Sequence, residues 1–200
     1  MEHKIVFATG NEGKMREIRE ILKDLGLPVL SMKEAGVNPE IEENGETFGE
    51  NARIKALAVW KETGGIVLAD DSGLEVDYIG KEPGVRSARY MGEDTSYEIK
   101  NRAILDRLKD AVGDERSARF VCSIAAVLPD GEVLLREAAM EGVIAEAPAG
   151  NGGFGYDPIF FLPEFGKTSA ELTMEEKNRV SHRGKALEAI KDALKAVLQA

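Results

Sequence analysis

The amino-acid sequence predicts an α/β fold. Near the N-terminus the apolar run Ile5-Val6-Phe7-Ala8 is followed by a turn with two glycines and then by a helical pattern of apolar residues. A second apolar run, Ile66-Val67-Leu68-Ala69, is continuous, as expected of a strand covered on both faces. These patterns together indicate an open α/β sheet.

Helix-start and turn signals divide the N-terminal half into elements. The predicted elements, in order, are a strand at 5–8, a helix at 15–25, a short strand at 29–30, a single helical turn capped by Ser31, a helix at 47–62 capped by Thr47, and a strand at 66–69 that ends in Asp70-Asp71.

The C-terminal half is divided in the same way. The predicted elements are a loop at 80–92, a helix at 95–113 opened by the capping-box pair Thr95 and Glu98, a hairpin of strands 118–128 and 133–142 around Pro129-Asp130-Gly131, a glycine-rich loop at 150–158, a strand at 159–161, a helical turn capped by Thr173, and a last helix after Ser181.

Composition limits the class of protein. With 200 residues, 43% of them hydrophobic, the chain can bury one substantial core, and we expect a single domain over residues 1–200. No segment approaches the roughly 20 consecutive apolar residues that span a bilayer, and no signal-peptide pattern opens the sequence. Cys122 is the only cysteine, so no intrachain disulfide can form. We therefore expect a cytoplasmic protein with no membrane partner.

The charge balance argues against a nucleic-acid partner. The chain has 36 acidic and 26 basic residues and a net charge of -10, whereas proteins that follow a phosphate backbone usually carry a basic stripe. An acidic protein can still bind a free nucleotide through a few placed cations and a metal. The expected partner is therefore a small molecule.

The turn between the first strand and the first helix is a candidate phosphate site. It consists of six consecutive residues, Thr9, Gly10, Asn11, Glu12, Gly13 and Lys14. Free backbone N–H groups at a helix start, together with a lysine, attract anions. In the alternative interpretation, Thr9 and Glu12 have capping-box spacing and the segment is an ordinary helix start.

Two acidic segments are candidate metal sites. Asp70 and Asp71 follow a buried strand, and Glu42 and Glu43 lie on a polar connection. Open α/β sheets place their chemistry just beyond strand ends, and Mg²⁺ prefers carboxylates and substrate phosphates. The alternative for each segment is a solvated turn.

Several cations and one aromatic residue could complete a nucleotide site. The candidate cations are Lys14, Lys55, Lys177 and Arg183, with His182 at the start of the last helix, and each could instead be an ordinary surface group. Phe154 lies between glycines, where a ring can either fill the core or stack on a base. Carboxylates, cations and an aromatic ring together point to a metal-dependent hydrolase of nucleotides.

Six motifs, in order along the chain, resemble the inosine triphosphate pyrophosphatase family, the Ham1-like pyrophosphatases of non-standard purine nucleoside triphosphates. The motifs are Thr9-Gly10-Asn11 through Lys14; Glu43 with Thr47-Phe48 and Glu50-Asn51-Ala52; Ala69-Asp70-Asp71-Ser72-Gly73-Leu74; Pro83-Gly84-Val85 with Ser87-Ala88-Arg89-Tyr90; Gly152-Gly153-Phe154-Gly155-Tyr156-Asp157-Pro158; and Ser181-His182-Arg183-Gly184. The resemblance covers residues from about 5 to about 195.

The resemblance implies an elongated two-lobed α/β fold with a central mixed sheet flanked by helices, an active site in the cleft between the lobes, and a homodimer. It implies Mg²⁺-dependent hydrolysis of ITP, dITP and XTP to the monophosphate and pyrophosphate. Asp71 would be the proton acceptor and a metal ligand, and Glu43 the second metal carboxylate. Thr9 to Lys14 and Ser72 would contact substrate, with Lys14 and the catalytic Lys55 on the phosphates. The base pocket would be formed by Phe154, Gly155, Tyr156, Asp157, Lys177, His182 and Arg183.

Three rival functions remain open at this point. The related Maf-like pyrophosphatases prefer other bases, and Ser181-His182-Arg183 argues against them. A haloacid-dehalogenase-type phosphatase needs an acidic pair separated by one residue, which Asp70-Asp71 lacks. A nucleotide sensor would bind without turnover and would not need its metal carboxylates.

Overall fold

The computed structural model describes residues 4–198, apart from the side chain of Asn178. These residues form two compact units. The first unit comprises the described residues up to Asp71, together with Cys122–Ala138 and the residues from Arg183 onward. The second unit comprises Ser72–Val121 and Ala139–His182.

The strands form one mixed sheet, which confirms the predicted α/β class. Its seven strands are β1 (Ile5–Phe7), β2 (Val29–Ser31), β3 (Ile66–Val76), β4 (Ser117–Val127), β5 (Val133–Ile144), β6 (Phe160–Leu162) and β7 (Lys167–Thr168), in the order β2-β1-β3-β4-β5-β6-β7. Strand β1 is parallel to β2 and β3, whereas β6 is antiparallel to β5 and β7.

Six α-helices accompany these strands in the described part of the chain. They are α1 (Glu12–Leu22), α2 (Met32–Ala35), α3 (Phe48–Thr63), α4 (Tyr97–Arg107), α5 (Met174–Val180) and α6 (His182–Leu198). Among the described residues, no helix combines the length and the apolar character that crossing a bilayer would require.

The first unit buries both faces of its strands. Ile5 and Phe7 of β1 belong to one apolar cluster with residues of α1 and α6, while Val6 belongs to a second cluster with residues of α3. Successive strand residues point to opposite faces, so burial on both sides requires an unbroken apolar run. This confirms the expectation for residues 66–69, whose side chains are divided between the same two clusters.

The second unit has a core of its own. Leu74 and Val76 of β3 pack there with Ile104 of α4, Phe120 of β4 and Phe160 of β6. Both aromatic rings are tilted against each other at a centroid distance of 4.5 Å. Strands β3, β4 and β5 each contribute residues to both units.

Three elements differ from the sequence-based expectations at their ends. Strand β3 does not end before Asp70 but continues to Val76, because Leu74 and Val76 are buried in the core of the second unit. Helix α4 is capped by Ser96 rather than Thr95, and it ends at Arg107 instead of reaching Gly113. Helix α1 is capped by Asn11, so the Thr9 capping box does not form.

Candidate active site

The turn after β1 presents polar backbone at the start of a helix. The Asn11 Oδ1 atom accepts a hydrogen bond from the Lys14 N–H at 3.1 Å, and Thr9 Oγ1 accepts one from the Asn11 N–H at 3.2 Å. Gly10, Asn11, Glu12 and Gly13 are exposed. The first N–H groups of α1 therefore lie at the surface, where the helix dipole favours an anion.

Asp70 is buried between two cations in the first unit. Its carboxylate lies 3.1 Å from Lys14 Nζ and 3.3 Å from Arg183 Nε, and only 3% of its side chain is exposed. Burial alone would raise the pKa of Asp70, but the charges of Lys14 and Arg183 outweigh it and hold that pKa well below its usual range. Asp70 is therefore a permanent anion that fixes the Lys14 ammonium group beside the turn.

Lys55 bridges the two candidate metal carboxylates. Its Nζ atom lies 3.1 Å from Glu43 Oε2 and 3.2 Å from Asp71 Oδ1. Burial lowers the pKa of Lys55, but Asp71 and Glu43 more than compensate, and the net pKa lies above its ordinary value. For Asp71 burial is the largest influence and raises the pKa, with Lys55 opposing it.

One oxygen of Asp71 is left over in this arrangement. Asp71 Oδ2 is buried and has no hydrogen bond within 3.5 Å among the described residues. The Asn51 amide, whose Nδ2 atom is likewise buried without a bond at that distance, opposes the effect of burial on the pKa of Asp71. A buried carboxylate oxygen without a partner is costly unless a ligand completes its surroundings. Asp71 is thus prepared to receive a cation or a water molecule.

The donor set fits a magnesium ion that is held jointly with substrate. Glu43 and Asp71 lie on the same lysine, and the described residues contain no group of three histidine, cysteine or acidic side chains that could hold a metal alone. Mg²⁺ is usually bound by one or two carboxylates together with substrate phosphates and water. Two carboxylates and an unpaired oxygen match that mode.

The glycine-rich loop of the second unit exposes an aromatic ring. Phe154 is 66% exposed, so it does not fill the core. The Lys177 Nζ atom lies 5.6 Å from the centre of its ring, within range of a cation–π interaction. The pair presents a flat apolar face beside a positive charge.

Asp157 joins the parts of this loop. It is buried and accepts hydrogen bonds from the Phe154 N–H at 2.8 Å, from Lys177 Nζ at 2.6 Å and from Ser169 Oγ at 2.8 Å. Gly153 is required beside it, because a Cβ atom there would lie 2.1 Å from Asp157 Oδ2. Asp157 therefore holds the Phe154 backbone and the Lys177 ammonium group in fixed positions.

The other predicted site residues of the second unit, Tyr156, His182 and Ser72, are buried or half-buried. Tyr156 is buried, its ring packs edge-on against Tyr97, and its hydroxyl donates to the Ser87 carbonyl at 2.7 Å. The half-buried His182 ring stacks on Phe120 at 5.1 Å. Ser72 Oγ is buried without a hydrogen bond in the described part of the chain.

The surroundings of Arg183 differ from those of a base-pocket residue. The resemblance groups Arg183 with Phe154 and Lys177, but its guanidinium is buried in the first unit and pairs with Asp70 and with Glu17 Oε2 at 3.6 Å. Burial lowers the pKa of Arg183 and Asp70 raises it, with a net rise. The direct contact of Arg183 with a base stays a prediction.

Sequence reasoning missed three supporting residues and the ion pairs of Asp70. Asn101 and Ser169 bind the glycine-rich loop, and Glu17 pairs with Arg183. Asp70, expected only as a candidate metal ligand, is the counter-ion of Lys14 and Arg183. Asp70 and Arg183 are 113 positions apart in the chain. No local pattern marks such a pair, because only the fold brings its members together.

The chain is similar to known proteins over nearly its whole length. Residues 5–193 match the model of the Ham1 family. The chain is 50% identical over 202 residues to a dITP/XTP pyrophosphatase of Clostridium perfringens, across 98% of this chain and 99% of the relative. It is 53% identical over 192 residues to a protein of the same name from Thermus thermophilus, across 96% and 92% of the two chains.

Solved structures agree with these relatives. A HAM1 protein from Coxiella burnetii superposes with a TM-score of 0.90 at 42% identity, covering 96% of this chain and 98% of that one. The Ham1 protein of Staphylococcus aureus gives a TM-score of 0.89 at 39% identity, with the same coverages of 96% and 98%.

Proposed function

Because the chain belongs to the Ham1 family, we propose that it hydrolyses the non-standard purine nucleoside triphosphates ITP, dITP and XTP to the monophosphate and pyrophosphate. This activity would keep deaminated purines out of DNA and RNA. The proposal is supported by the names of the relatives and, in the structure, by one observation above all. Asp71 is buried, has one oxygen on Lys55 and keeps the other without a hydrogen-bond partner among the described residues.

The proposed metal is Mg²⁺, held by Glu43 and Asp71. When bound, it would neutralise charge on the substrate phosphates and polarise them for attack. Lys55 keeps the two carboxylates together and offsets part of their mutual repulsion. Lys55 thus keeps Glu43 and Asp71 in place for the metal ion.

In the proposed reaction Asp71 accepts a proton from the attacking water. Its raised pKa makes its carboxylate a stronger base than an exposed aspartate. Attack at the α-phosphorus forms a new P–O bond and breaks the bond to the bridging oxygen of the β-phosphate, so that pyrophosphate leaves. Lys14, held by Asp70, offsets the charge that develops on the phosphates.

Base selection is proposed to depend on Phe154 and Lys177. Hypoxanthine and xanthine carry an acceptor oxygen at position 6, where adenine carries an amino donor. One Lys177 hydrogen is directed at Asp157, which leaves two others as donors to that oxygen. An adenine base would leave such donors unpaired, and hydrogen-bonding sites reject mismatched partners by roughly 10⁴-fold or more.

We further propose that the enzyme is a cytoplasmic homodimer. The family resemblance supports the dimer, and the lone cysteine supports the compartment. Light scattering coupled to size-exclusion chromatography should give twice the chain mass of 21.7 kDa. A mass of one chain at micromolar concentration would contradict the dimer.

One assay tests the proposed reaction. The purified protein is incubated with ITP and Mg²⁺, and the products are separated by anion-exchange chromatography. IMP and pyrophosphate are expected, and a chelator should stop their formation until Mg²⁺ is restored. Release of orthophosphate would favour a phosphatase, and binding of ITP without any product would favour a nucleotide sensor.

A further inference from the structure

The orientation of the Phe154 ring depends on how its backbone is held. The ring is largely exposed and has a glycine on either side, and Gly153 and Gly155 both have positive φ angles, of 71° and 69°. Glycine adopts such angles without penalty, but it contributes no side chain that could pack against the ring. The loop therefore depends on hydrogen bonds to keep one conformation.

One of these hydrogen bonds comes from Asp157. It holds the Phe154 N–H, on the N-terminal side of the ring. The Asp157 N–H also donates to the Phe154 carbonyl oxygen at 3.3 Å, across Gly155. Neither of these hydrogen bonds holds the peptide on the C-terminal side of Gly155 to an element outside the loop.

An anchor outside the loop is provided by Asn101 of α4. Its Nδ2 atom donates a hydrogen bond to the Gly155 carbonyl oxygen at 3.1 Å, and its side chain is buried, with 6% exposed. Asn101 Oδ1 is buried without a hydrogen bond in the described part of the chain, so the amide is bound through its donor side. The bond thus joins the flexible loop to a regular helix.

Helix α4 is a suitable frame for the loop. Ile104 fixes the helix in the core of the second unit, and the Tyr97 ring packs edge-on against Tyr156 at a centroid distance of 5.2 Å. The buried Lys100 donates to the Ala88 carbonyl at 2.6 Å, next to Ser87, whose carbonyl accepts from Tyr156. Helix α4 therefore contacts the Tyr156 ring through Tyr97, and through Lys100 it contacts the segment that accepts the hydrogen bond of the Tyr156 hydroxyl.

We propose that Asn101 is a positioning residue that sets the Phe154 ring for stacking on the purine base, through its hydrogen bond to the Gly155 carbonyl. This inference rests on the proposed function and adds to it a residue outside the six motifs. Asn101 acts through Gly155 and Phe154, so it governs binding of the base, while the carboxylates and lysines of the first unit govern the chemistry at the phosphates.

The expected effect is a partial loss of stacking. A ring without its anchor can still contact the base, but it must first be ordered, so only part of the contribution of base–aromatic stacking is lost. Loss of the Asn101 amide should therefore raise KM for ITP by about fivefold, which is close to 1 kcal/mol. The value of kcat should stay within about twofold, because the Asp71 cluster of Glu43, Lys55 and Asp71 is unchanged.

A double-mutant cycle tests the proposal. KM and kcat for ITP are measured for the wild type, Asn101→Leu, Phe154→Ala and the double variant. Asn101→Leu keeps four heavy atoms branched at Cγ and removes the amide donor, and Asn101→Ala provides a smaller second variant if the first fails to fold. Ile99→Ala, at a half-exposed neighbouring position of α4, is the control and should leave both constants unchanged.

The cycle has distinct outcomes. The proposal predicts that Asn101→Leu raises KM in the Phe154 protein but changes it by less than about twofold once Phe154 is alanine, since no ring remains to be positioned. An equal effect in both backgrounds, or a loss confined to kcat, would overturn it. Calorimetric binding of IMP to the same four proteins repeats the cycle without turnover, so that failure of the proposed hydrolysis and failure of this inference are distinguishable.

Discussion

Asp70 and Asp71 are neighbours in the sequence but have opposite electrostatic surroundings. Consecutive residues of a strand point to opposite faces, so the two carboxylates meet different partners. Asp70 lies between Lys14 and Arg183, and its pKa is depressed. Asp71 has Lys55 on one oxygen, and burial raises its pKa. Asp70 is therefore a fixed counter-ion, whereas the surroundings of Asp71 suit a general base.

Asp71→Asn should abolish most of the catalysis. The amide keeps the shape of the side chain but cannot accept a proton, and general-base catalysis contributes typically 10²–10⁴-fold. Steady-state hydrolysis of ITP measures the loss. Glu40→Gln, at an exposed acidic residue outside the Asp71 cluster, is the control and should retain its rate. Near-normal activity of Asp71→Asn would refute the role assigned to Asp71.

Asp70→Asn should destabilise the protein. The pKa of Asp70 is lower in the folded state, so its contribution to stability is complete above the unfolded pKa of about 4 and is lost as the pH falls through the folded value. Removing one partner of a buried ion pair costs roughly 3–5 kcal/mol. Thermal melts at pH 7 should show a lower Tm, and the difference from the wild type should shrink below about pH 4.

Asp71→Asn should shift Tm in the opposite direction from Asp70→Asn. The folded-state pKa of Asp71 is raised, so its stabilising contribution is complete below the unfolded pKa of about 4 and is lost as the pH rises through the folded value. In chelator at pH 7, Asp71→Asn should therefore melt above the wild type. The two neighbouring variants should thus shift Tm in opposite directions, and a shift in the same direction would contradict the electrostatic assignment.

The family resemblance identified residues of the site more fully than it identified their ion pairs. It implied one metal on Glu43 and Asp71 and placed Lys55 at the phosphates, and in the structure Lys55 contacts both carboxylates. The pairing of Arg183 with Asp70 was not expected, since a buried ion pair between distant positions leaves no periodic trace in the sequence.

At the level of elements, the start of α1 combines structure with a proposed binding role. Asn11 caps the helix through its side-chain oxygen and also lies in the turn proposed to hold phosphate. The two interpretations of this segment were a phosphate site and a helix cap. The structure shows a cap, formed by Asn11 in place of Thr9, and that cap leaves the first N–H groups of α1 exposed.

Two substitutions separate these roles of Asn11. Asn11→Ala removes the cap and should lower the free energy of unfolding by about 1 kcal/mol. Asn11→Asp keeps the oxygen acceptor and the stability but brings a negative charge close to the proposed phosphate position, so KM for ITP should rise. Denaturant melts and steady-state kinetics provide the two measurements.

Ser96→Ala is the matched control for the Asn11 variants. It removes the corresponding cap of α4, where the Ser96 hydroxyl accepts from the Ile99 N–H. It should cost a similar amount of stability without the rise in KM that is expected of Asn11→Asp. An unchanged KM for Asn11→Asp would contradict the phosphate role of the turn.

Elements were predicted well where one local signal dominates. The N-caps Thr47 and Thr173 and the turn after β4 were predicted correctly. Strand β3 was predicted too short, because its polar segment Asp70-Asp71-Ser72 looks like a strand end. It stays extended because Leu74 and Val76 are buried beyond it.

For the whole molecule, each of the two units carries a distinct part of the proposed chemistry. The first contains Lys14, Glu43, Lys55 and Asp71, which suit phosphates and a metal, and the second contains the exposed Phe154 ring with Lys177. The alternation of strands and helices predicted the α/β class. The division of β3, β4 and β5 between the units was not predictable from local patterns, because it depends on which distant segments share a core.

The most direct test of the central claim is a competition among substrates. Equal concentrations of ITP, XTP, ATP and GTP are incubated together with the protein and Mg²⁺, and all nucleotides are quantified over time by ion-pair chromatography. We predict that ITP and XTP are converted to IMP and XMP with equimolar pyrophosphate while ATP and GTP persist. Consumption of ATP or GTP at comparable rates, or release of orthophosphate, would contradict the proposed function.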